Sequence, residues 1–297
     1  MGVFASVNGN VVPAEQARVS VLDNGFTFGD AVYETLRTYA GRPFHLDRHL
    51  ERLRASAARL GFSPAFGDGV FAQRLDELLA RAGNEESYIR VILTRGEGDI
   101  SYRFDRVKGP TLVMVVKPFE PPPERDYAEG IPVVIASVRR NHPRALDPAI
   151  KSNNLLNNIL AVREGQARGA VETILLNDAG EVAEGASSNV FVVKGGRAAT
   201  PPLAAGILPG ITRRLVLDLC REVGVPAREE TLRVPDLLAA DEIFITSTTK
   251  EAAPVRAVDG RPVGSGKPGP IHRRVLQAYR EYARRSVSRQ AAGHAPK

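Results

Sequence analysis

The sequence predicts an α+β protein built from two domains. Strand-like and helix-like stretches alternate, but they are joined by hairpins more often than by strand–helix–strand crossovers, which argues against a doubly wound sheet. The length of 297 residues accommodates two medium domains. Near position 120 the chain runs Pro118-Phe119-Glu120-Pro121-Pro122-Pro123, and three consecutive prolines can extend neither a helix nor a sheet. The expected division is a smaller domain over 1–117, a linker over 118–127, a larger domain over 128–285, and a disordered tail over 286–297.

Taken in order, residues 5–12 read as a hairpin around Asn8-Gly9-Asn10. Glycine-punctuated residues 23–30 lead into an alternating strand over 31–39. Leu46, Leu50, Leu53, Ala57 and Leu60 recur at steps of four and three, so a helix over about 46–60 carries one apolar stripe. His49, Arg52, Ser56 and Arg59 fall on a second face. A second helix is expected over about 70–82, closed by Gly83. Residues 87–95 read as a strand with Ile89, Val91 and Leu93 toward the core and Tyr88, Arg90, Ile92 and Thr94 opposite. Residues 111–116 form another strand. In the second half, strands are expected at 131–138, 172–177, 181–183, 189–193 and 243–246. Helices are expected at 153–168, after Thr212, and from Pro270 onward.

Composition excludes several classes. At 43% hydrophobic and 25% charged residues the chain can form a real core. The single cysteine, Cys220, cannot close an internal disulfide, and a cytoplasmic setting is expected. The N-terminus has no signal-peptide pattern, and no apolar stretch is long enough to span a membrane. The net charge of +6 comes from arginines spread among glutamates rather than from a basic block, so neither nucleic acid nor membrane is the expected partner. The five histidines show no metal-ligand spacing, and no metal is expected. No glycine-rich nucleotide loop follows a strand.

Chemistry concentrates around Lys151, which follows a short apolar segment and precedes Ser152-Asn153-Asn154. A lysine where an extended segment runs out is a candidate amine nucleophile or Schiff-base former. Three further stretches suit a phosphate. Arg52 offers a forked cation. Pro209-Gly210-Ile211-Thr212 opens a helix whose N–H groups favour an anion. Ser247-Thr248-Thr249 places hydroxyls at a strand end.

These motifs, in this order, resemble the class IV (fold type IV) aminotransferases that use pyridoxal phosphate. The resemblance spans about residues 5–285. It is carried by Phe28-Gly29-Asp30 with Val32-Tyr33-Glu34, His49 to Leu53, Lys151-Ser152, Glu184-Gly185 with Ser188-Asn189, Leu208 to Thr212, and Ser247-Thr248. It implies a two-domain fold of that type and pyridoxal 5'-phosphate as cofactor. Lys151 would attach the cofactor and act as the catalytic base, with a depressed pKa in the loaded site. Glu184 would pair with the pyridine nitrogen. Arg52, Ile211, Thr212 and Thr248 would hold the phosphate, and Leu208 would pack on the ring. Tyr33, Arg37, Tyr88, Arg90 and Thr249 are the candidate substrate-binding residues.

The implied reaction is a ping-pong transfer of an amino group from an amino acid to a 2-oxo acid such as 2-oxoglutarate. Tyr88-Ile89-Arg90 and Tyr33 with Arg37 resemble the branched-chain members. Leu155 and the segment Ser247 to Glu251 resemble the D-amino acid members, whose Arg-x-His pair is replaced here by Ile100-Ser101-Tyr102. Branched-chain L-amino acids are the expected donors. A D-amino acid or (R)-amine transaminase is the first alternative, and an aminodeoxychorismate-type lyase the second. Arg103 and Arg106 are read as a solvated loop or as a carboxylate clamp. The resemblance also implies a homodimer.

Overall fold

A computed structural model describes residues 2–293. The chain folds as two compact units, Met1–Glu120 with Ile150–Asn154, and Pro121–Ala149 with Leu155–Lys297.

The first unit opens with β1 (Phe4–Val7) and β2 (Asn10–Pro13). The two are joined through Asn8 and Gly9, at φ 52° and 96°, the left-handed pair that a two-residue hairpin of this hand needs. A short helix, α1 (Asn24–Thr27), is capped by the Asp23 carboxylate. Then come β3 (Ala31–Tyr39), β4 (Arg42–Pro43), helices α2 (Leu46–Arg59) and α3 (Asp68–Ala82), β5 (Ser87–Thr94) and β6 (Thr111–Pro118). The strands form one six-stranded antiparallel sheet in the order β2-β1-β6-β5-β3-β4. The apolar stripe of α2 (Leu50, Leu53, Ala57) and that of α3 (Phe71, Leu75, Leu78) share a core with Leu36, Ile89, Val91 and Met114. The alternation read into β5 is therefore the observed one.

The expected linker is shorter than its predicted span. Pro118 still belongs to β6, and α4 (Glu124–Glu129) forms directly after the prolines. Pro123 can sit before a helix because its missing N–H has no intrahelical partner there. Glu124 and Asp126 in the first turn suit the helix dipole. The lysine segment is a second departure. Ile150–Asn154 was expected within the larger domain, but it joins the first unit, because its backbone pairs with the start of β3.

The second unit continues with β7 (Ile131–Ile135), α5 (Leu156–Ala167), β8 (Glu172–Leu176), β9 (Val182–Gly185), β10 (Asn189–Lys194) and β11 (Arg197–Thr200). It ends with α6 (Ile211–Glu222), β12 (Ala227–Glu229), α7 (Val234–Leu238), β13 (Glu242–Ser247), β14 (Glu251–Val258), β15 (Arg261–Pro262) and α8 (Pro270–Gly293). Its mixed sheet runs β12-β11-β10-β13-β14-β7-β8-β9, with β15 on β14. Ile131, Ile174, Val190, Ile243 and Ile245 are among its core residues. Helix α5 begins at Leu156 rather than 153, and before it Asn153 N–H donates to the Ala31 carbonyl at 2.8 Å.

Residues 286–293, expected as disordered, continue α8, where Val287 is buried. Residues 294–297 of that expected tail lie outside the described residues. No helix among the described residues is long and apolar enough to cross a membrane.

Candidate active site

In the first unit the site grows from the two faces of β3. Alternation sends Val32, Glu34 and Leu36 inward and Tyr33, Thr35 and Arg37 to the other side. A carboxylate on the inward face needs partners, and α2 supplies them. His49 Nδ1 lies 2.6 Å from Glu34 Oε2, and Arg52 donates through Nε at 2.7 Å and Nη2 at 2.8 Å. Burial alone would raise the Glu34 pKa, but Arg52 and His49 outweigh it and hold the carboxyl down at about 2. Burial pushes His49 below its ordinary value against the pull of Glu34, and toward the ionised carboxylate the Nδ1–H is the donor. One turn further along α2, the Ser56 hydroxyl accepts from Lys151 N–H at 3.2 Å. The second face of α2, read from residue spacing alone, is thus the face that meets Glu34 and the lysine segment.

Lys151 is fixed through its backbone. Its carbonyl accepts from Tyr33 N–H at 2.9 Å, Ser152 bridges Val32, and Asn154 Nδ2 donates to the Gly29 carbonyl at 2.8 Å. Its amine sits 4.4 Å from the centre of the Tyr33 ring, and the Arg90 guanidinium lies over the same ring at 3.5 Å. Arg90 also donates to Thr35 Oγ1 at 3.3 Å, and the Tyr88 and Thr35 hydroxyls lie 3.5 Å apart. Burial opposes ionisation of the Tyr33 phenol, but Lys151 and Arg90 outweigh it and lower the pKa. Tyr33, Arg90 and Lys151 therefore converge. Tyr88 meets Thr35 and pairs across the ladder with Arg37, four residues along the strand from Tyr33 and about 13 Å away at ordinary strand rise, where the Arg37 guanidinium stacks 3.9 Å from both the Tyr39 and Phe119 rings. Arg103 and Arg106 form exposed ion pairs with Asp105 and Asp99.

The second unit holds a buried acid and a helix start without a side-chain cap. Glu184, at the end of β9, is buried. Arg140 Nε donates to its Oε1 at 2.9 Å, while Asn189 Nδ2 at 3.3 Å and Leu208 N–H at 3.0 Å donate to Oε2. These donors hold both carboxylate oxygens in a fixed orientation. Helix α6 starts after Gly210 with no side-chain cap, leaving its first N–H groups, including those of Ile211 and Thr212, without that partner. Gly210 is required by packing, because a Cβ there would lie 1.9 Å from Asn189 Oδ1. Thr248 and Thr249 stand in the turn between β13 and β14.

Sequence reasoning gave no role to Glu34, His49, Arg140 or Asn189. Glu34 and His49 carried a signal, since each is a polar residue at an otherwise apolar or helix-facing period. Arg140 carried none, because its partner lies 44 positions away.

The first unit thus carries a lysine amine, and the second a buried carboxylate and a helix N-terminus without a side-chain cap, groups of the kinds that pyridoxal phosphate takes at its aldehyde, ring nitrogen and phosphate. The family model described as Amino-transferase class IV matches residues 31–258. A Methanocaldococcus jannaschii protein, provisionally named as a branched-chain-amino-acid aminotransferase, is 37% identical over 93% of this chain and 94% of its own length. The D-alanine aminotransferase of Bacillus licheniformis is 37% identical over 91% and 94%. The solved structure of the Thermobaculum terrenum branched-chain amino acid aminotransferase in its PLP form superposes with a TM-score of 0.83 at 29% identity, covering 94% of this chain and 93% of that one. The chain belongs to the class IV aminotransferases, pyridoxal-phosphate-dependent enzymes of fold type IV.

Proposed function

We propose that this enzyme transfers the amino group of an amino acid to a 2-oxo acid such as 2-oxoglutarate by a ping-pong mechanism, with branched-chain L-amino acids as donors. The observation that carries the reading is the convergence of Tyr33, Arg90 and Lys151: two cations and a phenol on one side of β3 and β5, suited to a carboxylate beside a reactive amine. In this reading Arg52, Ile211, Thr212 and Thr248 hold the cofactor phosphate, Leu208 packs on the ring, and Glu184 meets the pyridine nitrogen. Bound pyridoxal phosphate supplies an electron-poor ring that accepts the pair left when the substrate's α C–H bond breaks. Lys151 Nζ holds the cofactor at rest and, once released, moves the α proton. Arg90, Tyr88, Tyr33 and Thr249 orient the substrate carboxylate.

A D-amino acid or (R)-amine donor is the second reading. The B. licheniformis relative has a D-alanine name at the same 37% identity as the archaeal one, and Leu155 favours it. The relatives described above carry transaminase names, which favours transfer over a lyase reaction. A homodimer fits the apolar surface exposed on each unit, Phe26, Ile100 and Tyr102 on the first and Leu156 and Ile159 on the second. The one cysteine, buried and unpaired, fits a cytoplasmic enzyme.

The test is transamination of L- and D-leucine, and of an (R)-amine, with 2-oxoglutarate, in wild type and Lys151→Ala. L-leucine should be consumed with formation of glutamate, and the variant should lose several orders of magnitude in turnover. Reaction of only the D enantiomer would overturn the branched-chain reading. Near-wild-type turnover of Lys151→Ala would overturn the role of the lysine.

A further inference from the structure

The turn between β13 and β14 is held by more contacts than its own geometry requires. It closes on Glu251, a side-chain-bearing residue at φ 53°, a conformation that needs support from its surroundings. That support comes from four separate elements. Lys250 N–H donates to Ser247 Oγ at 3.2 Å, and the Tyr127 hydroxyl of α4 donates to the Lys250 carbonyl at 3.1 Å. Arg280 of α8 donates to Glu251 Oε2 at 2.8 Å. The fourth anchor is the Lys250 side chain. A lysine in a turn ordinarily extends into water, but this one folds inward. Its Nζ donates to Glu172 Oε2 at 2.9 Å and to Ser187 Oγ at 3.0 Å.

Glu172 is buried at 4% exposure and collects several donors. Its Oε2 also accepts from Ser187 Oγ at 2.6 Å and Ser188 Oγ at 3.1 Å, and its Oε1 accepts from Thr173 N–H at 3.0 Å. Ser187 and Ser188 form the turn between Glu184-Gly185 and Asn189, where Gly185 N–H bonds to the Ser188 carbonyl at 2.7 Å. Glu172 and Lys250 thus join two turns, one bearing Thr248 and Thr249, the other following Glu184. Ordering a lysine side chain and desolvating its charge is unfavourable unless the geometry returns that loss. A tie between two turns that both carry site residues is where such an arrangement serves function.

We propose that Lys250 is a positioning residue, whose ion pair with Glu172 clamps the β13–β14 turn in the conformation that presents Thr248 and Thr249. The inference rests on the reading of Thr248 as a phosphate ligand. Its test is titration of pyridoxal phosphate into the cofactor-free full-length protein, followed by absorbance, with melting temperatures of the same samples. Lys250→Met with Glu172→Gln removes both charges and leaves no buried ion unpaired. This double variant should melt near wild type without cofactor, yet bind pyridoxal phosphate about tenfold or more weakly, the scale on which supporting groups around a ligand act. Lys250→Arg, which keeps the charge, should recover part of that loss. Wild-type affinity in the double variant would overturn the proposal. So would a loss of melting temperature that accounts for all of the lost affinity, with no recovery in Lys250→Arg. Failure of the wild-type protein itself to bind pyridoxal phosphate would instead overturn the cofactor assignment of the residues.

Discussion

Glu34→Gln removes the charge from a carboxylate buried against Arg52 and His49 and should change how the protein responds to acid. In the folded protein the Glu34 pKa is lowered from 4.5 to about 2. At 1.36 kcal/mol per pKa unit, that depression amounts to about 3 kcal/mol favouring the folded state. The sign follows from proton binding. The folded pKa lies below the unfolded one, so the unfolded chain binds the proton more readily. The contribution is complete above the unfolded pKa and is lost as pH falls from about 4.5 toward 2. His49, also depressed, acts in the same direction but begins higher, below its ordinary 6.5. In the variant the acid-dependent part from Glu34 disappears, and Arg52 is left with a neutral partner at 12% side-chain exposure, a loss on the order of 3 kcal/mol at neutral pH. Thermal unfolding of the cofactor-free protein between pH 2.5 and 7, followed by circular dichroism, measures both. Wild type should lose melting temperature steeply below pH 4.5, while Glu34→Gln should melt lower at pH 7 and show a shallower acid slope. Parallel curves for the two proteins would show that Glu34 is not the titrating group and that the buried ion pair contributes little.

Further outcomes follow from the same geometry. Gly210→Ala brings a Cβ to 1.9 Å from Asn189 Oδ1 and should displace that amide from Glu184, lowering the melting temperature and weakening pyridoxal phosphate binding together; unchanged binding in a spectroscopic titration would count against the packing argument. Arg140→Met leaves the buried Glu184 carboxylate without its ion pair, and should cost about 3 kcal/mol in denaturant unfolding, whereas Arg103→Met, whose partner is exposed, should leave the unfolding midpoint unchanged. Burial pushes the Cys220 thiol up to about 11, so a thiol-specific chromogenic reagent at pH 8 should react slowly with the native protein and stoichiometrically in denaturant; fast native labelling would refute its burial.

What the amino-acid sequence determined by itself was local and periodic. Residue spacing alone marked the apolar stripe of α2, its second face with His49, Arg52 and Ser56, and the inward side of β5, because side-chain direction repeats with the backbone. Order of motifs identified the family, since Lys151, Glu184, Gly210 and Thr248 occur in a fixed succession. What only the tertiary structure decided was pairing across distance. Nothing local in Lys151 says that its backbone will add to the start of β3, or that its amine will share the Tyr33 ring with Arg90. Arg37 illustrates the same limit in reverse: it occupies the strand face of Tyr33, but the Tyr39 and Phe119 rings hold it elsewhere. Arg140 for Glu184 and Lys250 for Glu172 are partners separated by 44 and 78 positions. A buried charge requires a counter-charge, but only the closed sheet and its turns select which one reaches it.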